Sequence, residues 1–264
     1  MVDLVGGGAR ATLQPGSGAA AVLCDLPFLP HVCAALRGEP REPGRDRGFA
    51  FRNHRSTVAA LDAKDPETRG HLGRVRIYAV ELAREMGVRG RELECLQAAA
   101  LLHDIGKLAL PEGISFKPGK LTPDEFEKVK AHPLVGAEIL EWAGLDPMVP
   151  AIVRAHHERW DGSGYPDGLG GDQIPLGAQI LSAVDALDAL SSDRRYRKAL
   201  PLGEAMREVS VHAGASFDPE VVDLLALRYE ELECKVARQA SPGADLSLDV
   251  RVERATEPAA GNST

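Results

Sequence analysis

Arg91-Glu92-Leu93-Glu94-Cys95-Leu96-Gln97-Ala98-Ala99-Ala100-Leu101-Leu102-His103-Asp104-Ile105-Gly106-Lys107 decides how this chain folds. Leu93, Leu96, Ala100 and Leu101 recur at helical spacing, so residues 91–105 read as a helix with one buried side. Its apolar positions are mostly Leu and Ala, which pack helix against helix more readily than strand against strand. It delivers a histidine and an aspartate to its end, where an ionised carboxylate is costly to bury unless it is paired or bound to metal.

The same periodicity extends on both sides. Asp65-Pro66 reads as a helix start, with Asp as N-cap and Pro at the first position. Val75, Tyr78, Ala79, Leu82 and Met86 follow at helical spacing up to Gly87. Gly73 weakens that helix by roughly 1 kcal/mol and would permit a close backbone approach. Thr122-Pro123-Asp124-Glu125 is a capping box opening a helix expected to run to about Trp142. Asp146-Pro147 opens another, ending near His157. Further helices are expected over about 176–191, 202–212 and 218–233. Strands are scarce, and the fold class is all-α.

The rest of the composition sets limits. Apolar residues make up 44% of the 264, enough for a sizeable core, while only 5% are aromatic, leaving the packing to aliphatic residues. A formal charge of −8 argues against broad binding to a nucleic-acid polymer or an anionic membrane, though a metal cluster would reverse the local field for a small anionic substrate. Cys24, Cys33, Cys95 and Cys234 form no Cys-x-x-Cys pair, which excludes a zinc ribbon or redox dithiol. The apolar stretch 19–36 is broken by Asp25, Pro27, Pro30 and His31, so it reads as neither a membrane span nor a signal peptide. The expected location is cytoplasmic. Residues 1–50 are dense in Gly and Pro and read as a low-order segment and linker. Residues 51–236 read as the functional domain and 237–264 as a flexible tail.

Five of the eight histidines fall among a few carboxylates. Glu67 and His71 are four apart, on one helix face. His103-Asp104, His132, the adjacent pair His156-His157, and Asp185 in an apolar helix complete the set. Each alone has an ordinary explanation as a hydrogen-bonded core residue. Together they make a mixed imidazole and carboxylate donor set without thiolate, which favours iron or manganese over zinc, nickel or cobalt.

His103-Asp104-Ile105-Gly106-Lys107, the run His156-His157-Glu158-Arg159-Trp160-Asp161-Gly162-Ser163-Gly164-Tyr165-Pro166, and Asp193-Arg194-Arg195-Tyr196-Arg197-Lys198 together resemble the HD-GYP family over about residues 55–235. The resemblance implies an HD-type helical bundle hydrolysing cyclic di-GMP to linear pGpG, and onward to GMP. It implies two or three divalent ions held by Glu67, His71, His103, Asp104, His132, His156, His157 and Asp185, the third depending on Glu67. Asp104 would bridge two ions and Lys107 would reach the scissile phosphate, these two being the catalytic residues. Arg194 and Arg197 would join Lys107 in gripping the phosphodiester. Arg195 stands where the family commonly has proline. The 161–166 loop is expected to shape the substrate pocket or offer a surface to a signalling protein, with Asp161 bracing it; oligomerisation is left open. Two other readings remain: hydrolysis of another cyclic dinucleotide, and a non-catalytic module that binds the messenger.

Overall fold

The computed structural model describes residues 49–50, 70–115, 117, 119–194, 197–239 and 251–252. The expectations for Glu67, for the Asp65-Pro66 helix start and for most of residues 1–69 lie outside these.

Nine helices order the described residues: α1 His71–Glu85, α2 Gly90–Leu102, α3 Glu112–Ser115, α4 Pro123–Val129, α5 His132–Trp142, α6 Met148–Ala155, α7 Leu176–Ser191, α8 Leu202–Val211 and α9 Pro219–Gln239. Short 3-10 turns lie at Ile105–Ala109 and Gly171–Gln173. Phe49–Ala50 and Arg251–Val252 form a two-residue antiparallel pair. No helix among the described residues is long and apolar enough to cross a membrane.

The all-α expectation is met, and the quoted stretch lies at its centre. In α2, Leu96, Ala98, Ala99, Ala100, Leu101 and Leu102 are all buried, so the second half of the helix is covered almost all round, while its start, at Arg91 and Glu92, is exposed. It packs against α1 on one side and α6 on another. The alanines keep those approaches close, and the C-terminal end of α2 therefore opens into the middle of the bundle. Helix α7 lies across α1 with Ala178, Ile180, Leu181, Ala183, Val184, Ala186 and Leu187 buried. Gly73 meets nothing where its Cβ would be, so the close approach expected there is not made.

The helix expected from Thr122 to Trp142 is two helices. The capping box is present: Glu125 N donates to Thr122 Oγ1 and Thr122 N to Glu125 Oε2. The hydrogen-bond ladder is interrupted after Val129 because Pro133 has no N–H to donate back to the Val129 carbonyl. The final helix runs longer than expected, to Gln239, closing on α1 through Lys235 to Glu81, 2.7 Å, and Arg228 to Glu85, 2.7 Å.

Candidate metal centre

Helix ends bring the functional side chains together. His71 is the first residue of α1, His103 and Asp104 follow the end of α2, His132 begins α5, and His156 and His157 follow the end of α6, while Asp185 projects from mid-α7. The last carbonyls of a helix have no partner within it, and histidines take three of them. His103 Nδ1 lies 3.1 Å from Ala100 O, His132 Nδ1 2.7 Å from Val129 O, and His156 Nδ1 2.5 Å from Val153 O. In each case residue i meets the carbonyl of residue i−3. A carbonyl only accepts, so each Nδ1 carries the proton and each neutral ring presents a bare Nε2 lone pair to the centre.

Two donor trios result. His71, His103 and Asp185 form one, and His132, His156 and His157 the other; within each, the donor atoms all lie within 4.8 Å of one another. Asp104 stands between them, its Oδ2 3.5 Å from His103 Nε2 and its Oδ1 3.5 Å from His132 Nε2. Asp185 Oδ1 is 3.4 Å from His71 Nε2.

Electrostatics put His132, His156, His157, Asp104 and Asp185 in their ligand forms. Burial pushes the His132 and His157 imidazoles well below the usual range, and His156 down to about 4. Burial would raise Asp104, but Lys107 and the surrounding histidines hold it well below the carboxylate range. Asp185 is likewise low despite burial, because His103 and His71 face it. His132 Nε2 and His156 Nε2 stand 3.4 Å apart, two lone pairs aimed at one point. That is unfavourable for two neutral acceptors and natural around a cation, so the donor set fits divalent metal.

Asp188, one turn beyond Asp185, is buried and unanticipated from sequence. It accepts from His71 Nδ1 at 2.7 Å and from Arg74 through Nε at 2.5 Å and Nη2 at 3.1 Å. Burial would lower the His71 pKa, but this hydrogen bond and the charges of Asp185, Asp188 and Asp104 leave it raised. The sequence signal was the three-residue spacing from Asp185, which puts both carboxylates on one face.

Glu158, also unanticipated, is buried and gathers three amides of the following loop: Asp167 N at 2.6 Å, Gly168 N and Leu169 N at 3.1 Å. Asp161 braces the same loop as expected, accepting from Ser163 N at 2.9 Å and Ser163 Oγ at 2.6 Å. Gly164 crosses so close to the chain that a Cβ would lie 2.3 Å from Arg159 N. The Tyr165–Pro166 peptide is cis, and the Tyr165 ring lies 5.1 Å from that of His157.

Of the expected phosphate-binding residues, Lys107 is half-exposed with Nζ 2.7 Å from Asp104 Oδ2. The Arg194 charge reaches Asp185. Arg197 instead donates through Nη1 to Leu190 O at 3.0 Å, and through Nη2 to Ala189 O, so its guanidinium caps the end of α7. Glu67 lies outside the described residues.

A helical bundle gathering a His-Asp pair with further histidines is the arrangement of the HD domain family, whose model matches residues 55–221, and the chain belongs to that family. Within it, the chain is a member of the HD-GYP branch. It is 40% identical over 176 residues to the "cyclic di-GMP phosphodiesterase response regulator RpfG" of Xanthomonas campestris pv. campestris (strain 8004), covering 66% of this chain and 47% of that protein. It is also 40% identical over 160 residues to "3'3'-cGAMP-specific phosphodiesterase 3" of Vibrio cholerae serotype O1, covering 61% and 35%. Among solved structures, that of a cyclic GMP-AMP-specific phosphodiesterase of V. cholerae (V-cGAP3) shares the fold, with a TM-score of 0.56 at 19% identity over 69% of this chain and 49% of that one. The chain thus spans less than half the length of each of these relatives.

Proposed function

We propose that the chain is a metal-dependent phosphodiesterase that opens cyclic di-GMP to linear pGpG and carries it on to GMP, acting in the cytoplasm through a catalytic domain spanning about residues 51–236. The observation that carries this reading is the pair of donor trios with Asp104 shared between them. His71, His103, Asp104 and Asp185 would hold one ion, and Asp104, His132, His156 and His157 another; iron and manganese suit these nitrogen and oxygen donors. Glu67 is the residue on which a third ion turns. Bound divalent ions supply Lewis acidity for the phosphoryl oxygens and make water a competent nucleophile near neutral pH.

The chain's own residues do the rest. The Nδ1 hydrogen bonds fix four imidazoles in one tautomer and orientation, so the donors are set before substrate arrives. Asp104 is held ionised, despite its burial, by Lys107 and the surrounding histidines. Lys107 brings a positive charge to the pocket rim beside Asp104, suited to a non-bridging phosphate oxygen. Arg194 adds charge on the Asp185 side. Arg197 supports the substrate less directly, by holding the end of α7 from which Arg194 follows. The 161–166 loop, braced by Asp161 and partly exposed beside His157, suits a pocket wall or a surface for a signalling partner.

A second reading keeps the chemistry and changes the ring to 3'3'-cGAMP, supported by the 40% identity to the cGAMP-specific relative, equal to that for the cyclic di-GMP relative. The test is one panel: full-length chain purified without oxygen, analysed for metal, and offered cyclic di-GMP, 3'3'-cGAMP and cyclic di-AMP. Asp104→Ala is run beside it. Turnover of cyclic di-GMP abolished by Asp104→Ala supports the first reading, and preference for the mixed ring supports the second. Iron- or manganese-loaded chain that leaves all three intact while binding them sinks both and makes the chain a messenger-binding module.

A further inference from the structure

We infer that Pro133 is a positioning residue for the metal centre: by withholding an N–H it keeps the Val129 carbonyl for the His132 imidazole. The inference rests on the metal reading given above.

The chain from α4 into α5 hardly departs from helical geometry. Lys130 has φ −58° and ψ −16°, and Ala131 φ −76° and ψ −16°. Lys130 N donates to Phe126 O at 2.9 Å, as in an unbroken helix. On the far side, Val135 N donates to Ala131 O at 3.0 Å. In a continuous helix Val129 O would be claimed by the N–H of residue 133. Proline has none, and the oxygen instead receives His132 Nδ1 at 2.7 Å.

A near-continuous path with one missing donor is an unusual place for a ligand, and it is the missing donor that makes it usable. His103 and His156 take their carbonyls where helices α2 and α6 stop. His132 sits where a helix would otherwise go on. The backbone there is also locked from outside. His132 O and Gly136 N lie against Gly106, where a Cβ would come within 2.0 and 2.7 Å of them, so His132 is pinned between the 3-10 turn that follows Asp104 and the proline that follows it. With the ring held by Nδ1, Nε2 is directed at His156 Nε2 and Asp104 Oδ1. An N–H at position 133 would compete for Val129 O, release the ring and allow the other tautomer, whose Nε2 proton cannot face a cation.

The test uses the full chain with Pro133→Ala, a change that raises helix propensity, and Pro133→Gly as a second variant restoring the same N–H. In metal-free protein, long-range ¹H–¹⁵N correlation spectra report the tautomer of each histidine, with the His132 signals assigned by their loss in His132→Ala. The parent should show His132 protonated at Nδ1, and both variants a shift toward Nε2–H. Titration calorimetry with Mn²⁺ should show affinity weakened about 10- to 100-fold, the usual penalty for losing a partner of a ligating histidine. In the His132→Ala background, Pro133→Ala should have no further effect on Mn²⁺ affinity.

An unchanged His132 tautomer in the variants overturns the inference. So does an equal loss of affinity from Pro133→Ala with and without His132, which would mark a merely structural role. A parent that binds no Mn²⁺ refutes the metal reading, while the tautomer comparison in metal-free protein still decides the role of Pro133.

Discussion

Gly106→Ala gives the sharpest test of how the His-Asp pair is held. A Cβ at 106 would stand 2.0 Å from His132 O, 2.7 Å from Gly136 N and 2.9 Å from His132 C. All three are backbone atoms, so no rotamer change relieves the clash. Ordinary contact begins at 3.4 Å, so the 3-10 turn and the start of α5 must separate by about 1.4 Å. Asp104 precedes that turn and His132 begins that helix, so the separation acts directly on their 3.5 Å approach. Overpacking of this kind costs about 1–3 kcal/mol, or a fall in Tm of roughly 3–10 °C at this chain size. Misplacing a reacting constellation by ~1 Å costs about 10²-fold in rate. Thermal unfolding with and without Mn²⁺, together with initial rates on cyclic di-GMP, measures both. The expected result is a modest loss of stability and a large loss of kcat/KM, with the stabilisation by Mn²⁺ reduced. A Gly106→Ala chain indistinguishable from its parent in both assays would refute the reasoning, because it would mean that the two segments do not meet at backbone contact.

Asp188→Asn keeps the shape but removes the charge shared by His71 and Arg74; Mn²⁺ affinity should drop about 10- to 100-fold and stability in urea by about 3 kcal/mol. Glu158→Ala strands three amides and should cost roughly 3 kcal/mol; the check is hydrogen exchange at residues 167–169, which should accelerate while Mn²⁺ affinity stays unchanged. Cys95 is wholly buried, and burial with the adjacent Asp146 carboxylate pushes its thiol up to about 12. A raised thiol pKa means the reactive thiolate is scarce below that pH, so iodoacetamide at pH 8 should spare the Cys95 peptide in native protein and label the exposed Cys234. Unfolding in urea should bring Cys95 to the ordinary rate, and labelling of Cys95 in the native chain would contradict its burial.

Much of the bundle was legible in sequence because its helices carry their own punctuation. The capping box at Thr122, the Asp146-Pro147 start and the glycine after α1 mark real ends, and periodicity fills the intervals. The break at Lys130–Ala131 escaped the periodic reading because the apolar pattern continues through it; the signal was Pro133, placed where a buried helix needs a donor. The ligand-type residues were legible as residue types, and the structure gathers six of those it describes into two trios with Asp104 between them. Their supporting partners were not. Asp188 looks like a repeat of Asp185, and only the tertiary crossing of α7 over α1 puts it behind His71. Glu158 looks like one more polar residue after two histidines, and only the return of the chain at 167–169 shows what it holds. Arg197 looked like part of a basic run facing solvent or phosphate, yet the carbonyls it caps lie seven and eight residues back along the chain.

The carbonyl partners of His103, His132 and His156 belong to Ala100, Val129 and Val153. None of those oxygens is encoded by a side chain. A mutational scan would therefore score these positions only on size and fit, and a tolerant result at any of them would say nothing about the hydrogen bond made there. The support of this centre is written in where helices stop, so drift among relatives can rewrite the letters at 100, 129 and 153 while leaving the chemistry intact. A designer moving the centre to another scaffold would have to copy helix endings, with histidine three residues after a free carbonyl, and copying the ligand identities alone would leave the rings free to turn.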